Sequence, residues 1–207
     1  PQQVLAGGVS LDADIGPITA LRLYRQWRRV RRIPDGKSLR DVVPPALYAR
    51  FAALKKKDAP RDRDIETLQP MLAAASLYST AVDAVGLTPR NDIQRNVTKL
   101  ARKKRVPVRR TRIELEDPKG LLEELGNTPM EGQLRCLETT IARLESDVDA
   151  MQARARAWAV GDVEALRALP YPDQEAACWS AVTSAPRLKD ISERASLLWF
   201  EAAEEAL

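Results

Sequence analysis

Between residues 134 and 158 the apolar side chains Leu134, Leu137, Ile141, Leu144, Val148, Met151, Ala155 and Trp158 recur at spacings of 3, 4, 3, 4, 3, 4 and 3. No strand tolerates that period, because strand side chains alternate faces every residue. The pattern predicts one long helix over 128–160, about 45 Å in length, with a narrow apolar seam. Thr128 and Glu131 have capping-box spacing around Pro129 and mark its start. Trp158 is then the last knob of the seam. Gly161 supplies a left-handed C-cap, and Asp162 caps a short following helix, "VEALRAL", which Pro170 and Pro172 end. The seam has two uses. It packs inside the domain, which the abundance of other helices favours, or it dimerises as a coiled coil.

Pro, Gly and Asp punctuate the rest. Residues 17–33 read as a helix with Leu21, Tyr24, Trp27 and Val30 along one side and six arginines elsewhere. The expectation is that these aromatics face the core and the arginines face water. A grip on nucleic acid by stacking and phosphate contact is the sharper, less favoured alternative. Ser38 and Asp41 resemble a capping box. Pro44 or Pro45 opens a helix that turns Leu47, Phe51 and Leu54 inward and ends in Lys55, Lys56 and Lys57, where cations suit the helix dipole. Pro70 opens or kinks the next, with Leu72, Ala75, Tyr78 (or Ser79), Val82 and Val85 inside and Gly86 as its stop. Residues 91–105 form another, with Ile93, Val97 and Leu100 inward.

"VPVRRTRIEL", residues 106–115, changes period and is the best strand candidate, with a second short strand in residues 1–10. Two to four strands are expected in all. Asp117 and Pro118 are placed as N-cap and first residue of a further helix. Leu188, Ile191, Ala195, Leu198 and Ala202 repeat the 3-4 spacing and make the C-terminal helix a natural antiparallel partner for the seam helix. No stop residue follows it, and the sequence starts at Pro1, so a processed product or a segment of a longer chain is expected. The expected fold class is α/β and strongly helix-rich: long amphipathic helices with a few short strands.

Charge and composition remove whole classes of chemistry. Residues 1–113 carry 24 Lys and Arg against 10 Asp and Glu, a balance of +14; residues 114–207 carry 9 against 19, a balance of −10. The favoured reading is a basic helical half and an acidic long-helix half that neutralise each other, ahead of a basic half facing an anionic partner. There is no histidine, which excludes a Ser-His-Asp triad, a Cys-His pair and an HExxH zinc site. Cys136 and Cys178 stand too far apart for a CxxC motif. They are either a disulfide, in an exported chain, or two buried thiols. No apolar run is long enough to span a membrane.

Three motifs in order carry a family resemblance: Leu115-Glu116 just after the strand, Trp158 with Gly161-Asp162 and Leu166, and Arg194 five residues before Trp199. With the basic helix, the "VPV" strand and "IELEDPKGLL", they resemble the TraB/GumN family, which includes Tiki-type proteins. The resemblance is closest over about residues 90–207. It implies a metal-dependent hydrolase or protease acting on a peptide or protein substrate, with residues 1–207 as a single partial TraB/GumN-like domain. Two departures stand out. Neither of the family's Gly-x-x-His motifs is present, and Ala195 follows Arg194 where the family has Asn.

The site residues the resemblance carries over are Glu116, a carboxylate able to hold a metal or a water, and Arg194. Their plain structural roles are an acid at the front of the next helix and an ion pair with Glu193 or Glu201. No cofactor is expected in this segment, and a divalent metal belongs to the full-length protein. The segment itself is expected to be inactive. The resemblance also implies an exported, periplasmic bacterial setting, which would permit a Cys136–Cys178 bridge. The alternatives are a non-enzymatic scaffold dimerising through the 134–158 seam and, less favoured, a nucleic-acid binder using the basic helices.

Overall fold

A computed structural model describes residues 4–87, 92–146, 148–169 and 174–205. Within them the chain forms β1 (Val4–Asp12), α1 (Pro17–Val30), α2 (Leu39–Val42), α3 (Pro45–Asp58), α4 (Pro70–Ala84), α5 (Asp92–Lys103), β2 (Val108–Glu114), α6 (Pro118–Gly126), α7 (Met130–Ser146), α8 (Val148–Val160), α9 (Val163–Ala168), α10 (Gln174–Thr183) and α11 (Pro186–Glu204). The fold is helix-rich, and among the described residues it has one small sheet, at the low end of the strand count expected. No helix among the described residues is long and apolar enough to cross a membrane.

Local chemistry sets most of the boundaries. Pro45 and Pro70 open α3 and α4 at the first turn, where the missing N–H leaves no bond unmade. Asp41 Oδ2 accepts hydrogen bonds from both the backbone N–H and the hydroxyl of Ser38, closing the start of α2. Gly161 takes φ +73°, and Asp162 N–H then reaches back to the Ala157 carbonyl, a left-handed helix stop. The Asp162 carboxylate accepts from Ala165 N–H and starts α9. Pro170 and Pro172, the expected end of that helix, lie outside the described residues, as does residue 147 between α7 and α8.

The chain divides into two compact units, each drawn from both charge halves. One comprises residues 1–27, 90–127 and 183–207; the other comprises 28–89 and 128–182. Ion pairs accordingly form inside a half, as in Lys55–Glu66, as well as across halves, as in Arg50–Glu145.

The second unit holds the larger core. α7 packs on α4 and α3, and α3 on α4. Leu47, Phe51 and Leu54 point inward from α3 as the sequence predicts. On α4 the buried set is Pro70, Met71, Ala73, Ala74, Leu77, Ala81 and Val82, while Ala75 is exposed. Of the predicted inner face of α4, Val82 is buried, Leu72, Tyr78, Ser79 and Val85 are partly covered and Ala75 faces out; the most buried stripe runs through positions 70, 74, 77 and 81.

The seam is buried in its middle, at Leu137, Ile141, Leu144 and Met151. Gln133, Cys136 and Thr140 are buried beside it, so α7 presents the broad stripe of a core-facing helix rather than a two-residue coiled-coil edge. A coiled-coil dimer along this seam would first have to lift α7 from α4. Trp158 is not the last knob. It is 75% exposed, and Ala157 takes the inward position. A side-chain relay crosses this core: Gln133 Nε2 donates to Gln69 Oε1 and to the Thr128 carbonyl, and Gln69 Nε2 donates to the Val30 carbonyl. Arg50 forks onto Glu145 through Nε and Nη2, and those bonds hold the Glu145 carboxyl below its usual range. Cys136 and Cys178 are joined as a disulfide between α7 and α10.

The first unit holds the sheet. β1 and β2 pair in parallel from Val4 opposite Val108 to Asp12 opposite Glu114, with a register shift between Leu5 and Val9. α5 and α11 pack on these strands. α11 also packs on α6, so its predicted stripe is used within its own unit; the seam helix belongs to the other. The α11 stripe faces inward, with Ala202 buried and Leu188, Ile191, Ala195 and Leu198 partly covered.

Two predicted inner faces are corrected here. Leu21 and Tyr24 of α1 are exposed, while Leu23, Gln26, Trp27 and Val30 are partly covered. A spacing of three falls short of the 3.6-residue turn, so Leu21, Tyr24, Trp27 and Val30 wind around the helix instead of sharing a face. On α5, Val97 and Leu100 stay exposed and Ala101 is the buried contact; the Ile93 side chain lies outside the described residues.

Candidate functional site

The end of β2 delivers three carboxylates in close succession. Glu114 closes the strand, Glu116 follows at the same parity, and Asp117 caps α6. The Leu115 N–H donates to the Asp12 carbonyl and keeps this exit tied to β1. Opposite lies the first part of α11. Arg187, Asp190, Ile191 and Arg194 recur there at helical spacing, so they share one face. With Leu121 and Pro186, these residues line an open cleft of about 440 Å³ wholly within the first unit. Glu116 and Arg194, far apart in sequence, are thus brought to one site.

Two of the acids are already engaged. Asp117 accepts a hydrogen bond from the Gly120 N–H and pairs with Arg187 at 2.6 Å. The backbone bond first, and the guanidinium second, hold its carboxyl below the ordinary 3.8. Gly120 makes this approach feasible, since a Cβ there would lie 1.6 Å from Arg187 Nη1. Arg187 also pairs with Glu124 through Nε, and the other Glu124 oxygen accepts from the Arg187 backbone N–H. That satisfies one of the orphan donors at the start of α11. Arg194 pairs with Asp190 one turn back, at 3.6 Å, rather than with Glu193 or Glu201 as expected.

Glu114 and Glu116 remain. Their carboxylates make no hydrogen bond or ion pair among the described residues, and both are exposed. With Asp117 set against Arg187 and Asp190 against Arg194, the two glutamates give the cleft its negative excess. Such a wall suits a cationic group, with Arg194 placed for a carbonyl or carboxylate on the same ligand. Of the lining residues, sequence reading singled out Glu116 and Arg194 for function and Asp117 as a cap. Glu114, Arg187 and Asp190 carried no signal beyond their helical or strand spacing, because their meeting depends on how α6 and α11 pack.

The lowered Asp117 carboxyl has a consequence for acid stability. A group whose folded pKa is depressed contributes stability that is present above its unfolded value and lost as pH falls through the folded one. Stability should therefore decline as pH drops below about 4. Asp117→Asn should start less stable at neutral pH and show a shallower decline in melting temperature between pH 5 and 3. Parallel curves for the two proteins would refute this linkage.

The described residues do not assemble a three-ligand metal site. A catalytic zinc takes three protein ligands. The chain has no imidazole, and among the described residues no group of three or more His, Cys, Asp or Glu side chains converges. In comparison with known proteins, a family model described as the TraB/PrgY/gumN family aligns with residues 5–205. No curated protein and no solved structure matches the chain.

Proposed function

The chain belongs to the TraB/PrgY/gumN family, and from that membership we propose that its cleft is the substrate-facing wall of a hydrolase- or protease-like domain. Glu116 and Glu114 take a cationic group of a peptide, and Arg194 takes a carbonyl or carboxylate of the same molecule. The observation that carries this reading is the convergence on one cleft of Glu116 and Arg194, the two positions to which the family motifs point independently. The carboxylates attract and orient the ligand; Arg194 fixes its opposite end. A divalent metal would supply the activated water in such chemistry. The histidines that the family resemblance implies for holding it are not among these 207 residues, so no step is assigned to the chain through a metal.

These residues by themselves are proposed to bind without turnover. The measurement is direct. The protein is incubated with a mixture of basic peptides and added zinc or manganese, with and without chelator, and the products are read by mass spectrometry. No chelator-sensitive cleavage is expected. A labelled lysine-rich peptide should bind several-fold more weakly to Glu116→Gln than to the unaltered protein. Chelator-sensitive hydrolysis would overturn the non-catalytic reading, and equal peptide binding by the variant would overturn the role of Glu116. An exported setting is part of the same proposal. The Cys136–Cys178 bond suits an oxidising compartment and supports it.

A further inference from the structure

α1 and α11 both turn an unusual face to solvent. α1 has no buried residue. Its outer face carries Ile18, Leu21 and Arg25 at i, i+3 and i+7, with Arg22, Arg28 and Arg29 beside them and Tyr24 on the flank. Ile18 is 69% exposed, and Leu21 and Tyr24 are at least half exposed. The side chains of those four arginines make no hydrogen bond or ion pair among the described residues. The outer face of α11 carries Glu193, Leu197, Phe200 and Glu204 at i, i+4, i+7 and i+11, with Glu201 beside them. Leu197 and Phe200 are each 63% exposed. Both faces, 18–29 and 193–204, span twelve residues, about 16 Å. One is apolar and basic; the other is apolar and acidic.

We propose that these faces bind each other between copies: α1 of one molecule docks on α11 of a second, covering Ile18 and Leu21 against Leu197 and Phe200 while arginines meet glutamates. A helix with an exposed apolar stripe gains by covering it, and the matched lengths and opposite charges favour this partner. A membrane or nucleic acid offers the negative charge that α1 requires, but either would leave Leu197 and Phe200 on the acidic face of α11 uncovered. The two faces differ, so the contact is heterologous. The charged component weakens as salt rises.

Sedimentation of the full chain tests it. Concentration-dependent association is expected at low salt, reduced at high salt. Arg25→Glu with Arg28→Glu should weaken association at least tenfold, and so should Glu193→Arg with Glu204→Arg. All four positions are exposed, and circular dichroism verifies that both variants keep their helices. Mixing the two variants should restore a complex, because each retains one native face and the reversed faces complement each other. A monomeric unaltered protein, association that either variant leaves unchanged, or a mixture that stays monomeric would overturn the proposal. Retention of a monomeric protein on phosphatidylserine vesicles or on RNA, lost in the arginine variant, would assign α1 to that partner instead.

Discussion

Replacing Cys136 and Cys178 together by serine is expected to destabilise the second unit by about 4 kcal/mol, the entropic estimate for opening a loop of this length. The two cysteines are 42 residues apart. α7 is held independently, because Leu137, Ile141 and Leu144 are buried on its inner face. α10 is not. Among its described residues Ala181 alone is buried, and it rests on α7 where Gly132 leaves room: a Cβ on Gly132 would lie 3.3 Å from the Ala181 Cβ. The disulfide therefore tethers a helix that contributes little apolar burial of its own. Reductant should lower the melting temperature by roughly 10 °C and expose the amides of α10 to hydrogen exchange before those of α7. A melting curve indifferent to reductant would mean that the bond is open in solution or carries no load.

How far the sequence predicted this molecule depends on which physical signal is asked. Helix ends were legible because they are written locally: Pro45, Pro70, Asp117 with Pro118, and Gly161 with Asp162 act through their own backbone geometry and nearest amides. Coverage of a face was not, because it depends on a distant element. Leu21 and Tyr24, Val97 and Leu100, and Trp158 all sit in apolar patterns, yet nothing in their neighbourhoods says whether another helix lies over them. The stripe on α11 has the period of a helix partner, but nothing local to it says that it lies on the sheet of its own unit. The parallel pairing of β1 with β2 joins residues about a hundred positions apart, beyond any local pattern. The cleft was half legible. Glu116 and Arg194 came from family motifs, which preserve spatial relations that periodicity does not encode. The Asp117–Arg187 contact needed α6 and α11 to be in place.

The same distinction can be measured with two aromatic truncations. Phe51→Ala should cost about 3–5 kcal/mol. Phe51 is fully buried, lies beside Tyr48 with ring centroids 6.2 Å apart, and sits on the helix that packs against both α4 and α7. Truncation leaves a hole that three helices cannot close without moving. Phe51→Leu should recover much of the loss by refilling it. Trp158→Ala removes a larger side chain from the end of the most regular apolar repeat in the sequence, yet should change stability by no more than about 0.5 kcal/mol, because water already reaches three quarters of that residue. Denaturant melts of the three variants provide the comparison. A Trp158→Ala loss comparable to that of Phe51→Ala would show that Trp158 packs as the seam predicts, and that the inward turn at Ala157 is wrong.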